Sequence, residues 1–399
     1  MPVLPPGYSS NLHAAETVAE LERTLDGFTA EVHRRLGWER IGLDLRLGSV
    51  AIAELADPTL RDRLRRSLDR AGASAYSLNA FPLRPFQAAE VKAEAYRPDW
   101  TEAERAQDTT AIIPIALALS DEPVVTVSTV PGSYRPFGPA HNDATTIAAA
   151  FGRWAGVAAR AARDTGRRVV LCPEPEPWCF LETSWDAAWF WRGPLAEHGL
   201  AACAALLDGD ERAARAALAD HLGLCFDTCH FSLAFEDQAA AVARLTAAGV
   251  PISKCQFSAA PEVRDPGRDA AGVAALRALA EPRFMHQTAA ASANGSLSKV
   301  EDLHQLDRCL ARLPNATAVR SHFHIPVFRE PQASGLSSTV ADSRVGLAAC
   351  LSAGCPHISV ETYTWSILAA NERDALAGTV RELETLDGLL RGLRGDATG

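Results

Sequence analysis

Two glutamates follow directly after a strand-like apolar run near the middle of the sequence. The segment Pro173–Pro177 reads PEPEP and comes after the run Val169–Cys172, with Glu182 a few residues farther on. The alternating prolines favour an extended chain, in which Glu174 and Glu176 project to the same side. Two carboxylates fixed on one side are candidate ligands for a divalent cation. The alternative interpretation is a solvated acidic loop.

An aspartate and a histidine follow the next run, Leu222–Asp227. Asp227 ends the run and His230 comes three residues later, which places one carboxylate and one imidazole within reach of a common point. In the run after that, Lys254 and Gln256 alternate and share one face. Gln256 can ligate a metal through its carbonyl oxygen, or it can hydrogen-bond the substrate or a carboxylate. Lys254 is a candidate substrate contact.

A His-x-His pair occurs later in the sequence. His322 and His324 flank an aromatic residue, so both imidazoles project to the same face of an extended chain. Such a pair commonly brings two nitrogens to one metal ion. A purely structural role is the alternative. His286, next to Gln287, is a further candidate for the substrate pocket.

A glutamate ends the last strand-like run, His357–Glu361. Glu361 is the carboxylate expected to close a ring of ligands opposite the PEPEP segment. Tyr363 and Trp365 would form an aromatic wall suited to a sugar or another ring. Asn79, which ends an early run, is a candidate substrate contact.

These segments require a scaffold that brings the ends of successive strands together. Strand-like runs alternate with longer segments that have helical spacing, as in Val18, Leu21, Leu25 and Phe28. This order predicts an α/β protein with parallel pairing, a (β/α)8 TIM barrel whose catalytic groups gather at the C-terminal ends of the strands. We expect a single domain over residues 1–399. The predicted strands are Gly7–Leu12, Ile41–Leu47, Ala75–Asn79, Val124–Val130, Val169–Cys172, Leu222–Asp227, Ile252–Phe257 and His357–Glu361. Phe284–Gln287 is a surplus candidate, and the second surplus run is either Ser321–His324 or an early one. An excursion from the barrel is therefore expected between about 260 and 340.

Composition limits the classes of function. The 399 residues carry a formal net charge of −10, and no basic run provides the positive surface that nucleic acid requires. No apolar stretch is long enough for membrane insertion, and the N-terminus lacks the pattern of a signal peptide. The nine cysteines, an odd number, suit reduced and buried thiols. We therefore expect a cytoplasmic protein that acts on a small molecule.

The order of these motifs resembles that of the xylose-isomerase-like barrels, the sugar phosphate isomerases and epimerases. FDTCHFSLAFED resembles the Asp-x-x-His segment of the ketose epimerases, and the spacing from Glu176 to Glu182 resembles their Glu-x5-Glu loop. The resemblance implies a Mn, Co or Zn ion held by two Glu, an Asp and a His. It also implies a substrate contact at His230 and proton exchange by the two glutamates. Gln256 stands where the epimerases carry the ligand His.

A closer resemblance covers nearly the whole chain. The strings GYSSNLH, SLNAFPLRPF, VSTVPGSY, EPEP with LET, CFDTCHF, QFSAA, MHQ, SHFHIPVF and VETYTW are similar to those of the TIM-barrel E member of the Ebo-cluster metabolite-traffic family. That resemblance implies a metabolite-traffic role and a functional link to a UbiA-like prenyltransferase pathway.

Together the motifs lead to a mechanistic hypothesis. A divalent ion (Mn, Zn, Co or Fe) is held by ligands drawn from Glu174, Glu176, Asp227, Gln256, His322, His324 and Glu361. Glu176 and Glu361 transfer the proton α to a carbonyl, and His230 hydrogen-bonds the developing enediolate. The substrate contacts are Asn79, Glu182, Lys254, His286, Tyr363 and Trp365. The alternatives are a metabolite carrier without catalysis and a metal-dependent phosphoesterase.

Overall fold

Eight parallel strands form the barrel that the sequence predicts. The computed structural model describes residues 4–328, 336–368 and 374–395. In chain order its strands are β1 (Gly7–Ser9), β2 (Ile41–Arg46), β3 (Ala73–Asn79), β4 (Val124–Thr129), β5 (Arg168–Pro173), β6 (Leu224–Asp227), β7 (Ile252–Phe257), β8 (Pro261–Arg264), β9 (Thr288–Ser292), β10 (Leu297–Val300), β11 (Ala316–Ser321), β12 (Ser337–Ser338) and β13 (His357–Val360). The barrel order is β5-β4-β3-β2-β1-β13-β7-β6. The two strands at the ends of this order, β5 and β6, approach each other at one point. There the Gly223 amide donates a hydrogen bond to the Leu171 carbonyl oxygen over 2.9 Å.

Helices occupy the connections between barrel strands, and a final helix follows the last strand. They are α1 (Val18–Thr24), α2 (Ala30–Leu36), α3 (Ser49–Glu54), α4 (Pro58–Arg70), α5 (Ala103–Leu119), α6 (Ala144–Thr165), α7 (Ser184–Phe190), α8 (Leu200–Leu206), α9 (Glu211–His221), α10 (Thr228–Leu233), α11 (Gln238–Ala247), α12 (Ala270–Arg277), α13 (Leu306–Arg312), α14 (Val340–Ser352) and α15 (Ala375–Arg394). The predicted stripe of Val18, Leu21 and Leu25 is buried, because it faces the barrel along the first helical connection. A π-helical segment, Leu25–Thr29, joins α1 to α2 there.

The predicted excursion is a second, antiparallel sheet inserted between β7 and β13. Its order is β10-β9-β11-β8-β12. It has its own apolar cluster, which includes Val263, Leu276, Leu306 and Val319. Ser321–His324 contributes only Ser321 to β11, and Phe284–Gln287 precedes β9 without forming a strand. Both surplus candidates therefore belong to the excursion and not to the barrel.

The state of the cysteines agrees with the expectation from the composition. All nine cysteines are buried and unpaired by disulfides. Among the residues that the structure describes, no helix combines the length and apolar character needed to cross a membrane.

Candidate functional site

A cavity of about 50 Å³ opens at the C-terminal ends of the barrel strands. Its walls include Asn11 after β1, Asn79 at the end of β3, Glu174 after β5 and Glu361 after β13. The carboxyl ends of parallel strands meet at one rim of a TIM barrel, so residues distant in sequence come together there.

Three buried carboxylates converge beside this cavity. One oxygen atom each of Glu174, Asp227 and Glu361 lies within 4.8 Å of the other two. Burial raises the pKa of Glu174 and of Glu361 well above the usual value, and the negative charges of neighbouring carboxylates raise both further. Three such groups cannot all be ionised at this spacing unless a cation accompanies them.

Asp227 is positioned by the helix that it starts. Its Oδ1 accepts hydrogen bonds from the amides of Cys229 (2.7 Å) and His230 (3.2 Å), which caps α10, and from the Ser258 hydroxyl (2.7 Å). Its Oδ2 is buried and has no hydrogen-bond partner. Burial acts to raise the pKa of Asp227, but His230, His324 and these hydrogen bonds hold it below the usual value. Asp227 is thus the ionised member of the group, with one oxygen free.

The two glutamates of the PEPEP segment contact different neighbours. Both Glu174 and Glu176 are buried and line the cavity, as the alternation predicts. Glu174 joins the carboxylate group, and its Oε2 has no hydrogen-bond partner. Glu176 instead accepts a hydrogen bond from the Tyr96 hydroxyl (2.8 Å), and burial raises its pKa to about 8. Glu361 is oriented by Asn11, whose Nδ2 donates to Oε1 over 2.7 Å.

Three imidazoles meet beside the carboxylates. The Nε2 atoms of His230, His322 and His324 are 3.1, 3.2 and 3.3 Å apart. The two histidines of the His-x-His pair share one face as predicted, while Phe323 between them stacks on His286 with ring centroids 3.6 Å apart. Burial lowers the pKa of His230 to about 4 and lowers the pKa of His322 and of His324, so all three rings are neutral near pH 7.

The hydrogen bonds of His230 change its predicted role. Its Nδ1 lies 2.9 Å from the Pro175 carbonyl oxygen, which can only accept, so the proton of the neutral ring is on Nδ1. Nε2 then has a lone pair and no hydrogen. The hydrogen bond that we expected His230 to donate to an enediolate is incompatible with this tautomer, and the ring offers an acceptor or a metal ligand instead.

Several predicted contacts lie elsewhere. Lys254 shares the inner face of β7 but sits deeper in the barrel, where Nζ is 2.7 Å from Asp44 Oδ2 and 2.8 Å from Ser128 Oγ. The Gln256 side chain is also in the barrel interior, where its Oε1 accepts from the Cys225 thiol. Neither lines the cavity.

Two other predicted substrate contacts, Glu182 and His286, instead bind residues of the excursion. Glu182 pairs with Lys299 of β10 (2.8 Å) and with Arg135 (3.2 Å). His286 lies behind His322, whose carbonyl oxygen is 2.8 Å from its Nδ1. Of the predicted aromatic wall, Tyr363 lines the cavity, whereas Trp365 packs into the apolar cluster of the excursion.

Sequence reasoning missed four residues that shape the cavity. Tyr363 packs against Phe86 and Phe284, with ring centroids 5.0 and 5.1 Å away, so the aromatic wall comes from three separate segments. Asn11 and Tyr96 hold the two glutamates at the site. The one available signal was Asn11, a polar residue near the end of the first predicted strand, Gly7–Leu12.

The donors present fit a divalent cation. Two carboxylate oxygens, on Glu174 and Asp227, are buried without a hydrogen-bond partner, and such atoms are costly unless something binds them. Oxygen donors of this kind suit Mg²⁺ or Mn²⁺, and imidazole nitrogens suit zinc, cobalt or iron. The mixture of donors therefore accommodates the metals expected from the sequence.

One comparison with a solved structure supports the fold. No protein-family model and no curated protein matches the sequence. The chain is similar to a xylose isomerase-like TIM barrel protein from Mycobacterium smegmatis solved in complex with magnesium, with a TM-score of 0.51 and 14% identity over 98% of this chain and 97% of that one. It is also similar to a xylose isomerase domain protein from Planctomyces limnophilus, with a TM-score of 0.49 and 12% identity over 99% of each chain. The likeness to the Mycobacterium smegmatis protein shows that the chain has a TIM-barrel fold like that of this protein.

Proposed function

We propose that this protein is a metal-dependent isomerase or epimerase of a small hydroxy-carbonyl or polyol-like metabolite. The observation that carries the proposal is the convergence of Glu174, Asp227 and Glu361 within 4.8 Å beside an open cavity. These three residues would hold the divalent ion. When bound, the ion supplies Lewis acidity toward the oxygens of a carbonyl and its neighbouring hydroxyl.

The protein's own side chains supply proton transfer and orientation. An ionised Glu361 or Glu176 carboxylate takes the proton from the carbon α to the carbonyl. The proton returns to the other face of that carbon in an epimerisation. In an isomerisation it goes to the carbonyl carbon, while the proton of the neighbouring hydroxyl moves to the carbonyl oxygen. Asn11 donates a hydrogen bond to Oε1 of Glu361, and Tyr96 donates one to Oε1 of Glu176. In each carboxylate, Oε2 is then the oxygen that takes the substrate proton.

The cavity walls define the substrate class. The lining combines carboxylate, imidazole and amide groups with the clustered rings of Phe86, Phe284 and Tyr363. Asn79 lines the cavity and uses Oδ1 to accept from the Phe81 amide, which leaves its Nδ2 available to a substrate hydroxyl. Such a cavity suits a polyol or sugar-like ligand that has one apolar face.

We also propose the finer assignments that the sequence motifs imply. The chain would be the TIM-barrel E member of the Ebo-cluster metabolite-traffic family, a cytoplasmic protein linked to a UbiA-like prenyltransferase pathway. The ordered motif strings support this assignment. A carrier without catalysis would use the same cavity. Phosphoester hydrolysis is favoured only by the imidazoles beside the carboxylates, and the net charge of −10 disfavours a nucleic-acid substrate.

Hydrogen exchange with solvent tests the catalytic proposal even when the product is unidentified. Tag-free protein is stripped with chelator, reloaded with Mn²⁺, Co²⁺ or Zn²⁺, and incubated in D2O with a panel of ketoses, aldoses and hydroxy-ketones. We expect deuterium to enter the carbon α to the carbonyl of one class of compound, as followed by NMR. Any enzyme that removes and returns this proton exchanges it with solvent when the base has access to water.

Matched variants separate catalysis from folding. Glu361→Gln keeps the hydrogen bond from Asn11 but removes the base, so exchange should fall by at least about 100-fold, the usual contribution of a general base. His221→Gln is the control, because His221 is a buried histidine that bonds the Val169 carbonyl outside the cavity. Metal-loaded protein that binds members of the panel without exchange would refute the isomerase proposal in favour of a carrier. Wild-type exchange in Glu361→Gln would exclude Glu361 as the base.

A further inference from the structure

The imidazoles of His230, His322 and His324 are arranged so that their Nε2 atoms face one another. The three separations are 3.1, 3.2 and 3.3 Å, and all three side chains are almost completely buried. His230 comes from the first turn of α10, and the other two come from the segment after β11. Two independent parts of the fold thus deliver three nitrogens to one point on the cavity wall.

The outer nitrogen of each ring fixes its tautomer. Nδ1 lies 2.9 Å from the Pro175 carbonyl oxygen in His230, 2.8 Å from the Glu361 carbonyl oxygen in His324 and 2.7 Å from Gln287 Oε1 in His322. Carbonyl oxygens only accept hydrogen bonds, so these Nδ1 atoms are the protonated ones.

The orientation of Gln287 is fixed in the same way. Its Nε2 lies 3.3 Å from the Pro177 carbonyl oxygen and 2.6 Å from the Tyr96 hydroxyl, so its amide oxygen must face His322. Every Nε2 of the three rings therefore carries a lone pair and no hydrogen. Three lone pairs at hydrogen-bond distance repel one another, and a water molecule has only two hydrogens to offer them. A cation satisfies all three at once.

The spacing also matches a metal ion. Zinc binds imidazole nitrogen at about 2.0–2.1 Å, and a tetrahedral ion at that distance holds its nitrogens about 3.3–3.4 Å apart. We propose that His230, His322 and His324 form a three-nitrogen site for a zinc-type divalent ion, distinct from the carboxylate site and open to the cavity at its fourth position. This proposal rests on the proposed function in one respect only: the zinc-type ion would be the second ion, next to the one that Glu174, Asp227 and Glu361 would hold.

Asp227 connects the two positions. It belongs to the carboxylate group, and it also forms a group with His230 and His324 whose ligand atoms lie within 4.8 Å of one another. Its free Oδ2 is 4.0 Å from His324 Nε2. Imidazole ligands suit zinc, cobalt, nickel or iron, whereas an all-carboxylate site suits magnesium or manganese. The two positions therefore prefer different metals, and Asp227 neighbours both.

X-ray absorption at the zinc edge tests the site on the wild-type chain. Metal-free, tag-free protein is titrated with Zn²⁺ in the presence of excess Mg²⁺, and the first equivalent is analysed. We expect three imidazole ligands, recognisable by multiple scattering from the rings. A first equivalent bound mainly by oxygen, or by fewer than three imidazoles, would overturn the proposal without any variant.

Variants then locate the ion. His322→Gln with His324→Gln should weaken zinc binding by more than about 100-fold, since losing a bound ligand exceeds the 10- to 100-fold effect of an outer partner. Gln287→Leu removes the acceptor of His322 Nδ1 and should weaken it by about 10- to 100-fold. The His221→Gln control should bind zinc as the wild type does. Equal affinity in the Gln287 and histidine variants and the wild type would show that zinc binds elsewhere.

A carboxylate variant separates this inference from the proposed function. Glu174→Gln with Glu361→Gln should lose hydrogen exchange but keep one zinc ion with three imidazoles. If this variant keeps zinc while the wild type exchanges no compound, the isomerase proposal fails and the histidine site stands. If zinc is lost equally from the carboxylate and histidine variants, one shared site exists and the inference of a distinct site is wrong.

Discussion

Glu382 in α15 connects the two loops that carry candidate site residues. Its Oε1 accepts a hydrogen bond from the Thr362 hydroxyl (2.6 Å), next to Glu361, and from the Val327 amide (3.1 Å), three residues after His324. Burial raises the pKa of Glu382 from 4.5 to about 7, although the two hydrogen bonds oppose the shift. Because the folded pKa is raised, its contribution to stability is complete below about pH 4.5 and is lost as the pH rises through about 7.

The Glu382→Gln substitution should make this contribution independent of pH. A glutamine oxygen can accept both hydrogen bonds and never ionises. A shift of this size corresponds to about 3 kcal/mol. The free energies of unfolding of variant and wild type should therefore be similar near about pH 5, and the variant should be more stable by up to about 3 kcal/mol near about pH 9.

Urea denaturation of metal-free protein at several pH values measures this difference. The other buried acids titrate equally in both chains, so their contributions cancel. Two stability curves that stay parallel across the whole pH range would refute the reasoning, because they would show that Glu382 has no raised pKa in the folded protein.

Three further predictions follow from particular contacts. Lys254→Met leaves the Asp44 charge buried without its partner and should cost about 3–5 kcal/mol in urea denaturation with unchanged metal content; lost metal with normal stability would contradict a structural role. Gly152→Ala would place its Cβ 2.0 Å from the Gly199 carbonyl oxygen and should destabilise by about 1–3 kcal/mol, whereas Gly193→Ala, with open space around it, should not; equal melting temperatures would contradict this packing. Tyr96→Phe removes a hydrogen bond that lowers the pKa of Glu176, so that pKa should rise above about 8 in a ¹³C NMR titration of the metal-free protein; an unchanged or lower value would exclude the bond.

The barrel and its carboxylates could be predicted from the sequence because both depend on local patterns. Each buried parallel strand is a short apolar run, and its last residues must lie at the rim where the loops begin. Asp227 and Glu361 end such runs, and Glu174 comes directly after one, so their meeting at the rim does not depend on the geometry of the loops.

The depth of a residue inside the barrel could not be predicted in this way. Alternation correctly put Lys254 and Gln256 on the inner face of β7, but it does not say how far below the rim they lie. Successive residues on one face are separated by roughly 7 Å along the strand. Lys254 therefore meets Asp44 of β2 and Ser128 of β4 in an inner layer of side chains, where its charge is neutralised.

Contacts made by irregular segments were also beyond the sequence. Tyr96 and Phe86 lie in the long connection between β3 and α5, which has no period that would orient a side chain. The approach of His230 to His322 joins residues that are 92 positions apart. It depends on how the excursion folds back over the barrel, which no pattern within either segment encodes.

The excursion explains how imidazoles reach a rim at which β7 itself supplies none. The Gln256 side chain is held within the barrel beside Cys225, so the nitrogen donors must come from another part of the chain. The Ile325 amide donates to the Ala259 carbonyl over 2.9 Å, which fastens the end of the His-x-His segment to the residues just after β7. The stack of Phe323 on His286 fixes the same segment from its opposite face. The inserted sheet thus carries its histidines back to the strand end from which it departs, and this placement lets carboxylates of the barrel and imidazoles of the excursion share Asp227.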